Sequence, residues 1–329
     1  MATFAQFLPK PSAPASRGST GSLHKFAFPA LGTICEVQYA TPHAGQPAVA
    51  FELAAVDWVL SFEAKYSRFV PSSLVSRINA AAGRSWVEVD SEMEEMLVLC
   101  DSIHVMTQSV LDPTALPLIK LWNWKAEHPA IPSAAQIAAA RRLTGWTKVQ
   151  RAPGRVFLPE AGMALDFGGF GKEYAVDIVA QIAVNHQISS VLVDFGHDLR
   201  ALGAPPERPL WHVGLEDPKN PGRHAGSIGV SGKGVASSGD YVRCFTHDGR
   251  RYGHIIDPRT GWPVANGCTQ ATVIAGTCLH AGVLCTTAFV LGLKEGIALI
   301  QTFPGAEGLL LSTDSRAQTR GFFHHVVSA

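Results

Sequence analysis

The chain carries no excess of charge of either sign: 27 lysines and arginines stand against 27 aspartates and glutamates in 329 residues. It therefore lacks the basic footprint of a nucleic-acid binder. Charged residues are scarce at 16%, while apolar residues reach 47%, enough for a substantial core and too many for extended disorder. No uninterrupted apolar run approaches the roughly 20 residues that cross a bilayer, so no membrane span is expected. The six cysteines (Cys35, Cys100, Cys244, Cys268, Cys278 and Cys285) contain no C-x-x-C pair. Most sit in apolar surroundings, which suits buried reduced thiols better than secreted disulfides. Residues 1–24 lack a basic n-region, an apolar h-region and a cysteine for lipidation. Their Ser/Pro/Ala/Gly bias reads as a flexible tail, with one domain over 25–329 and a cytoplasmic location expected. No tandem repeat of fixed period is visible.

Residues 25–40 read as strand broken by a Gly-Thr turn, followed by an amphipathic helix over 49–66. A turn-rich loop over 67–83 leads to a short strand at 85–89. Next comes a helix from Ser91, read as its N-cap, with Glu94 at the capping-box position. Strands are expected at 163–169, 189–196, 211–217, 271–276 and 308–313, a strand–turn–strand over 227–241, and helices at 172–186, 279–292 and 294–303. Neighbouring strands without helices between them favour α+β over a doubly wound parallel sheet.

Four segments have residues suited to chemistry. Asp166-Phe-Gly-Gly-Phe-Gly-Lys-Glu-Tyr falls where a strand meets a helix. Its glycines permit close backbone approach, the helix start favours an anion, and Lys172 adds charge. A tight turn that packs the helix on the sheet would use the same glycines. Ser237-Ser-Gly-Asp-Tyr-Val-Arg offers hydroxyls and amides, and the later His254-Ile-Ile-Asp-Pro-Arg-Thr-Gly261 puts a histidine on a strand before a turn. Such a histidine can take a proton from a hydroxyl near neutral pH, or simply hold structure. Gly282 and Thr286 share one face of an apolar helix. Asp112, in Leu111-Asp-Pro-Thr, either accepts from a ligand or caps its turn.

Taken together, the order and spacing of these segments resemble the ApbE family. Pro29-Ala-Leu-Gly-Thr33 is similar to the family's Ala-Met-Gly-Thr, with Leu31 for methionine. Residues 66–79, Tyr-Ser-Arg-Phe-Val-Pro-Ser-Ser-Leu-Val-Ser-Arg-Ile-Asn, are similar to its loop before the second strand. Asp112-Pro-Thr114 fits an Asp-Pro-Thr segment, and residues 166–177 fit Asp-Leu-Gly-Gly-Ile-Ala-Lys-Gly-Tyr-Ala-Val-Asp. Gly196-His-Asp198 resembles a Gly-Gly-Asp turn and Gly214-Leu-Glu-Asp-Pro218 a Gly-Ile-Glu-Asp-Pro segment. Ser238-Gly-Asp-Tyr241 and residues 254–261 match almost letter for letter.

The resemblance implies an α+β, T-fold-type architecture of two subdomains, with mixed or antiparallel sheets flanked by helices and an FAD cleft between the subdomains. It further implies FAD:protein FMN transfer: FMN moves from FAD to a Ser/Thr hydroxyl of a partner protein through a phosphoester bond, and AMP leaves. His254 aligns with the family's base. Leu31, Asp112, Gly168, Gly169, Lys172, Glu216, Ser238, Asp240, His254 and Ile256 align with positions around the FAD. The Gly171 carbonyl and Thr286 align with magnesium ligands, but the family's metal-binding aspartate is Gly282 here. A weakened magnesium site is thus expected, with FAD carriage or FAD hydrolysis to FMN and AMP as alternatives to transfer.

Overall fold

The computed structural model describes residues 16–20, 23–41, 46–220, 222–240 and 243–327. A nine-stranded sheet runs through it in the order β1 (Ser16–Thr20), β2 (Leu23–Ala30), β3 (Thr33–Ala40), β7 (Ser190–Phe195), β8 (Asp198–Leu202), β11 (Lys233–Gly239), β16 (Cys268–Ala275), β17 (Glu307–Ser312) and β18 (Arg316–Gln318). Every pairing is antiparallel. Small sheets are made by β4 (Val87–Glu88), β5 (Gln150–Ala152) and β6 (Arg155–Phe157), and by β9 (Trp211–Glu216), β10 (His224–Val230) and β19 (Val326–Val327). Two hairpins complete the strands: β12 (Cys244–His247) with β13 (Arg250–Gly253), and β14 (Ile256–Asp257) with β15 (Trp262–Pro263). The helices are α1 (Gln46–Tyr66), α2 (Leu74–Ala81), α3 (Ser91–Met106), α4 (Leu116–Leu121), α5 (Ala134–Arg142), α6 (Gly171–Asn185), α7 (Cys278–Leu291) and α8 (Leu293–Gln301).

Period-2 alternation places the core on both faces of the large sheet. In β7, Val191, Val193 and Phe195 join the cluster under α1 and α6, whereas Leu192 joins Trp211, Ile228 and Phe322 on the opposite face. In β16, Ala271, Val273 and Ala275 face α7 and α8, and Ile274 faces the other way. Helices therefore cover one face and the β9–β10–β19 sheet covers part of the other.

The topology is duplicated. A hairpin, a helix pair and a second hairpin recur as β2–β3, α1 with α6, β7–β8, and again as β11–β16, α7 with α8, β17–β18. Two insertions obscure the repeat: residues 67–170 lie between α1 and α6, and residues 240–267 between β11 and β16. They pack together through Trp122 and Ile137 of the first against Tyr252 and Ile256 of the second. Trp122 Nε1 donates to Gly261 O at 2.7 Å across this junction.

Several sequence expectations need correction. The tail expected over 1–24 is too long. Ser16–Thr20 pairs in register with 23–27 as the edge strand, because backbone pairing does not require apolar side chains; residues 1–15 and 21–22 lie outside the described residues. The turn between β2 and β3 is Leu31-Gly32, both with positive φ (54° and 72°), the two-residue form that matches strand twist. The loop expected over 67–83 contains α2, capped by Ser73. The N-cap of α3 is Asp90, whose carboxylate accepts from Met93 N, while Glu94 accepts from Gly154 N.

The strand expected at 163–169 is in no sheet. Its apolar residues Met163, Leu165 and Phe167 are buried, but its backbone is satisfied otherwise. Asn79 accepts from Leu165 N at 2.6 Å and donates to Leu165 O at 2.9 Å, and Asp166 N donates to Pro113 O. An unpaired buried backbone group costs about 1–3 kcal/mol. Asn79→Ala strips two such groups at once and is expected to destabilise the fold by about 2–4 kcal/mol. A urea midpoint unchanged by this replacement would refute the side-chain substitute for a strand.

Candidate active site

The site is built from the ends of the duplicated helices and strands. At the start of α6, buried Phe167 and Phe170 anchor the turn while Gly168 and Gly169 between them stay exposed. Gly168 N donates to Asp166 Oδ1 at 3.0 Å, and Arg68 Nε pairs with Asp166 Oδ2 at 2.9 Å. Whereas α2, α3, α5 and α7 each close their first turn with a side chain (Ser73, Asp90, Ser133, Thr277), α6, like α4 and α8, has no side-chain cap, and of these three it alone begins at the exposed Gly168-Gly169 turn. Amides at an uncapped helix start, with the helix dipole behind them, are a ready anion cradle.

Lys172 follows directly, and its ammonium pairs with the buried Asp198 of β8. Leu31 borders the same region: its N–H donates to Glu63 Oε1 at 2.9 Å, and the charges of Glu63 and Lys172 both reach Cys35 on β3. Burial raises the Glu63 carboxyl, and the Leu31 bond partly offsets this. The left-handed φ of Leu31 is unfavourable for a γ-branched residue. The Glu63 bond helps fix it there.

Beside Lys172, Glu173 is only 8% exposed, and its Oε2 is buried without a hydrogen-bond partner. It packs against Gly282 of α7: a Cβ on residue 282 would come within 2.6 Å of Glu173 Cγ. One turn further along α7, Thr286 Oγ1 bonds Ser238 Oγ of β11 at 3.1 Å. Beyond that strand, buried Asp240 accepts from Arg251 Nη2 at 3.0 Å, and it packs so close to Gly253 that a Cβ there would stand 2.7 Å from Asp240 Cβ. Burial raises the Asp240 carboxyl, against the lowering pull of Arg251.

His254 comes next. It stands just past the end of β13 instead of on a strand, since its N–H and its Nδ1 both turn to Arg243 O, at 2.9 and 3.2 Å. With Nδ1 donating there, Nε2 carries the free lone pair. Burial, with the Arg243 charge adding to it, pulls the imidazole down to about 4. Ile256 packs beside Trp122 and Tyr252 at the junction of the insertions. The turn that follows is held by Asp257, whose carboxylate accepts three bonds from Arg259 and whose carbonyl takes Gly261 N at 2.7 Å.

Asp112 is placed beside the glycine turn, since Leu111 packs under Gly169. Its carboxylate accepts from Thr114 N, Thr114 Oγ1 and Trp146 N, so turn-capping is its evident structural work. It also borders a cavity of about 440 Å³ where the two insertions meet, lined further by Arg141, Arg142, Pro258 and Arg259. Glu216 is the outlier. It ends β9 in the separate three-stranded sheet and accepts from Gly222 N, whereas the path of contacts just traced runs through the nine-stranded sheet. Tyr241, last residue of the Ser238-Gly-Asp-Tyr motif, lies outside the described residues.

Two features escape a reading of segments one at a time. Asp198 neutralises Lys172 from a different hairpin, and Glu173 occupies the space left by Gly282. The second had a signal, because the family pattern has glycine where this chain has Glu173.

Residues 31–310 match the ApbE family. The chain is 31% identical over 310 residues to a FAD:protein FMN transferase of Treponema pallidum, covering 88% of this chain and 84% of that protein. To one of Klebsiella pneumoniae it is 32% identical over 232 residues, 70% and 72% of the respective lengths. The crystal structure of the ApbE protein of Thermotoga maritima superposes with a TM-score of 0.83 at 28% identity, covering 93% of this chain and 100% of that one. The apo flavinyl transferase ApbE of Pseudomonas stutzeri gives 0.81 at 26%, covering 96% and 99%. With the duplicated sheet, the glycine turn and the 254–261 segment all in place, the chain belongs to the ApbE family.

Proposed function

We propose that the chain is an FAD:protein FMN transferase acting on a serine or threonine of a partner protein. The observation that carries this is the uncapped start of α6, with exposed Gly168 and Gly169, in a chain similar over most of its length to FAD:protein FMN transferases. The diphosphate of FAD is the anion that suits the cradle. Leu31, Asp112, Ser238, Asp240 and Ile256 line the approaches to it, and Glu216 reaches it only if the β9 sheet edge borders the flavin.

The reaction is a substitution at phosphorus. The acceptor oxygen bonds to the FMN phosphorus, the bond from that phosphorus to the bridging oxygen breaks, and AMP departs with the bridging oxygen. Alignment and charge neutralisation supply most of the rate in such transfers. His254 takes the hydroxyl proton on Nε2, the nitrogen its Arg243 bond leaves free. When bound, magnesium would neutralise the diphosphate. The Gly171 carbonyl and Thr286 hydroxyl are the ligands the family pattern supplies.

Purified protein, FAD, magnesium and an acceptor bearing a Ser/Thr flavinylation motif test the reading. Covalent in-gel flavin fluorescence of the acceptor is expected. Release of FMN and AMP without labelling would make it a pyrophosphatase, and bound but unconsumed FAD a carrier.

A further inference from the structure

We infer that Glu173 supplies the metal-binding carboxylate that Gly282 lacks, reaching the same place from the neighbouring helix. The inference rests on the proposed FMN-transfer site and adds a ligand on α6 to it.

Three observations meet here. First, the two positions are exchanged: the family pattern has glycine at 173 and aspartate at 282, and this chain has glutamate and glycine. Second, the exchange is one of space. A Cβ at 282 would stand 2.6 Å from Glu173 Cγ, 3.1 Å from Cδ and 3.2 Å from Oε1, so the glutamate fills the volume an aspartate would need. That also gives the helix glycine its reason, since glycine costs about 1 kcal/mol against alanine in a helix.

Third, the carboxylate lacks compensation. Glu173 is buried beside Thr286's helix with Oε2 unpartnered. The nearest cation, Lys172 Nζ, is 3.9 Å from Oε1 and is already paired with Asp198. Two buried carboxylates thus share one ammonium, and a buried charge without a partner is costly. A hard divalent cation answers that imbalance. Magnesium needs only one or two carboxylates when phosphate oxygens and water complete its shell. Among the described residues no group of three or more acidic, histidine or cysteine side chains gathers, as such a site requires none.

The test uses Mn²⁺ as probe, with free Mn²⁺ followed by electron paramagnetic resonance in the presence of saturating FAD. Glu173→Gln keeps the shape and removes the charge, and is expected to weaken Mn²⁺ at least about tenfold. Gly282→Asp alone forces two side chains into one space, and is expected to lower the melting temperature. The paired exchange Glu173→Gly with Gly282→Asp should bind Mn²⁺ within about threefold of the parent, because one carboxylate is again present. Unchanged Mn²⁺ affinity in a folded Glu173→Gln protein, or no Mn²⁺ binding by the parent, overturns the inference. Glu173-dependent Mn²⁺ binding without acceptor labelling would sink the transfer reading alone, whereas labelling with Glu173-independent binding would sink only this one.

Discussion

His254→Ala is expected to transfer FMN about 10²- to 10⁴-fold more slowly than the parent at pH 7, the range lost with a general base. FAD affinity should change little, because the imidazole acts on the acceptor's proton and not on the bound nucleotide. The pH dependence separates this role from a structural one. In the free protein the imidazole lies near 4, lowered by burial and then by Arg243. It is therefore neutral and able to accept a proton throughout pH 5–8, and kcat/KM should fall only as pH drops through about 4. The diphosphate brings negative charge toward the ring, which favours the protonated form. The acid limb of kcat, set in the bound complex, should thus lie at higher pH than that of kcat/KM. Coincident limbs near 6.5 would mean that another group titrates. Loss of FAD binding in the alanine variant would make His254 structural.

Lys172→Met should produce the largest loss of stability among replacements at the site. Its ammonium is the shared counter-charge of Asp198 and Glu173, both buried. Removing one partner of a buried pair costs about 3–5 kcal/mol, reduced here to about 2–4 because the lysine itself is partly exposed. For a chain of 329 residues a fall in melting temperature of about 3–6 °C follows. Adding Asp198→Asn to Lys172→Met should recover much of the loss, since it removes one stranded charge. Additive losses in the double variant would show that the lysine stem, and not its charge, holds this corner. The pairing also qualifies Lys172 as a phosphate ligand: its charge is spoken for before FAD arrives, leaving the α6 amides as the principal anion donors.

Much of the site was legible because it is local. The glycine turn, the 254–261 segment and the Thr286 helix each place their groups through short-range geometry, which spacing reports directly. The segment at 163–169 misled for the same reason: its apolar content is that of a strand, but its partner is the Asn79 side chain, 86 positions away. The duplication of the fold was invisible as a period because residues 67–170 and 240–267 interrupt its two halves at different points.

What the sequence alone determined was the class of fold and the helix that follows the glycine turn, together with the candidate groups for work at a phosphate. It also exposed the missing aspartate at 282. Only the tertiary structure decided that this absence is filled. Glu173 and Gly282 lie on different helices, and whether one occupies the other's volume depends on how α6 packs against α7, a distance that no spacing along the chain encodes.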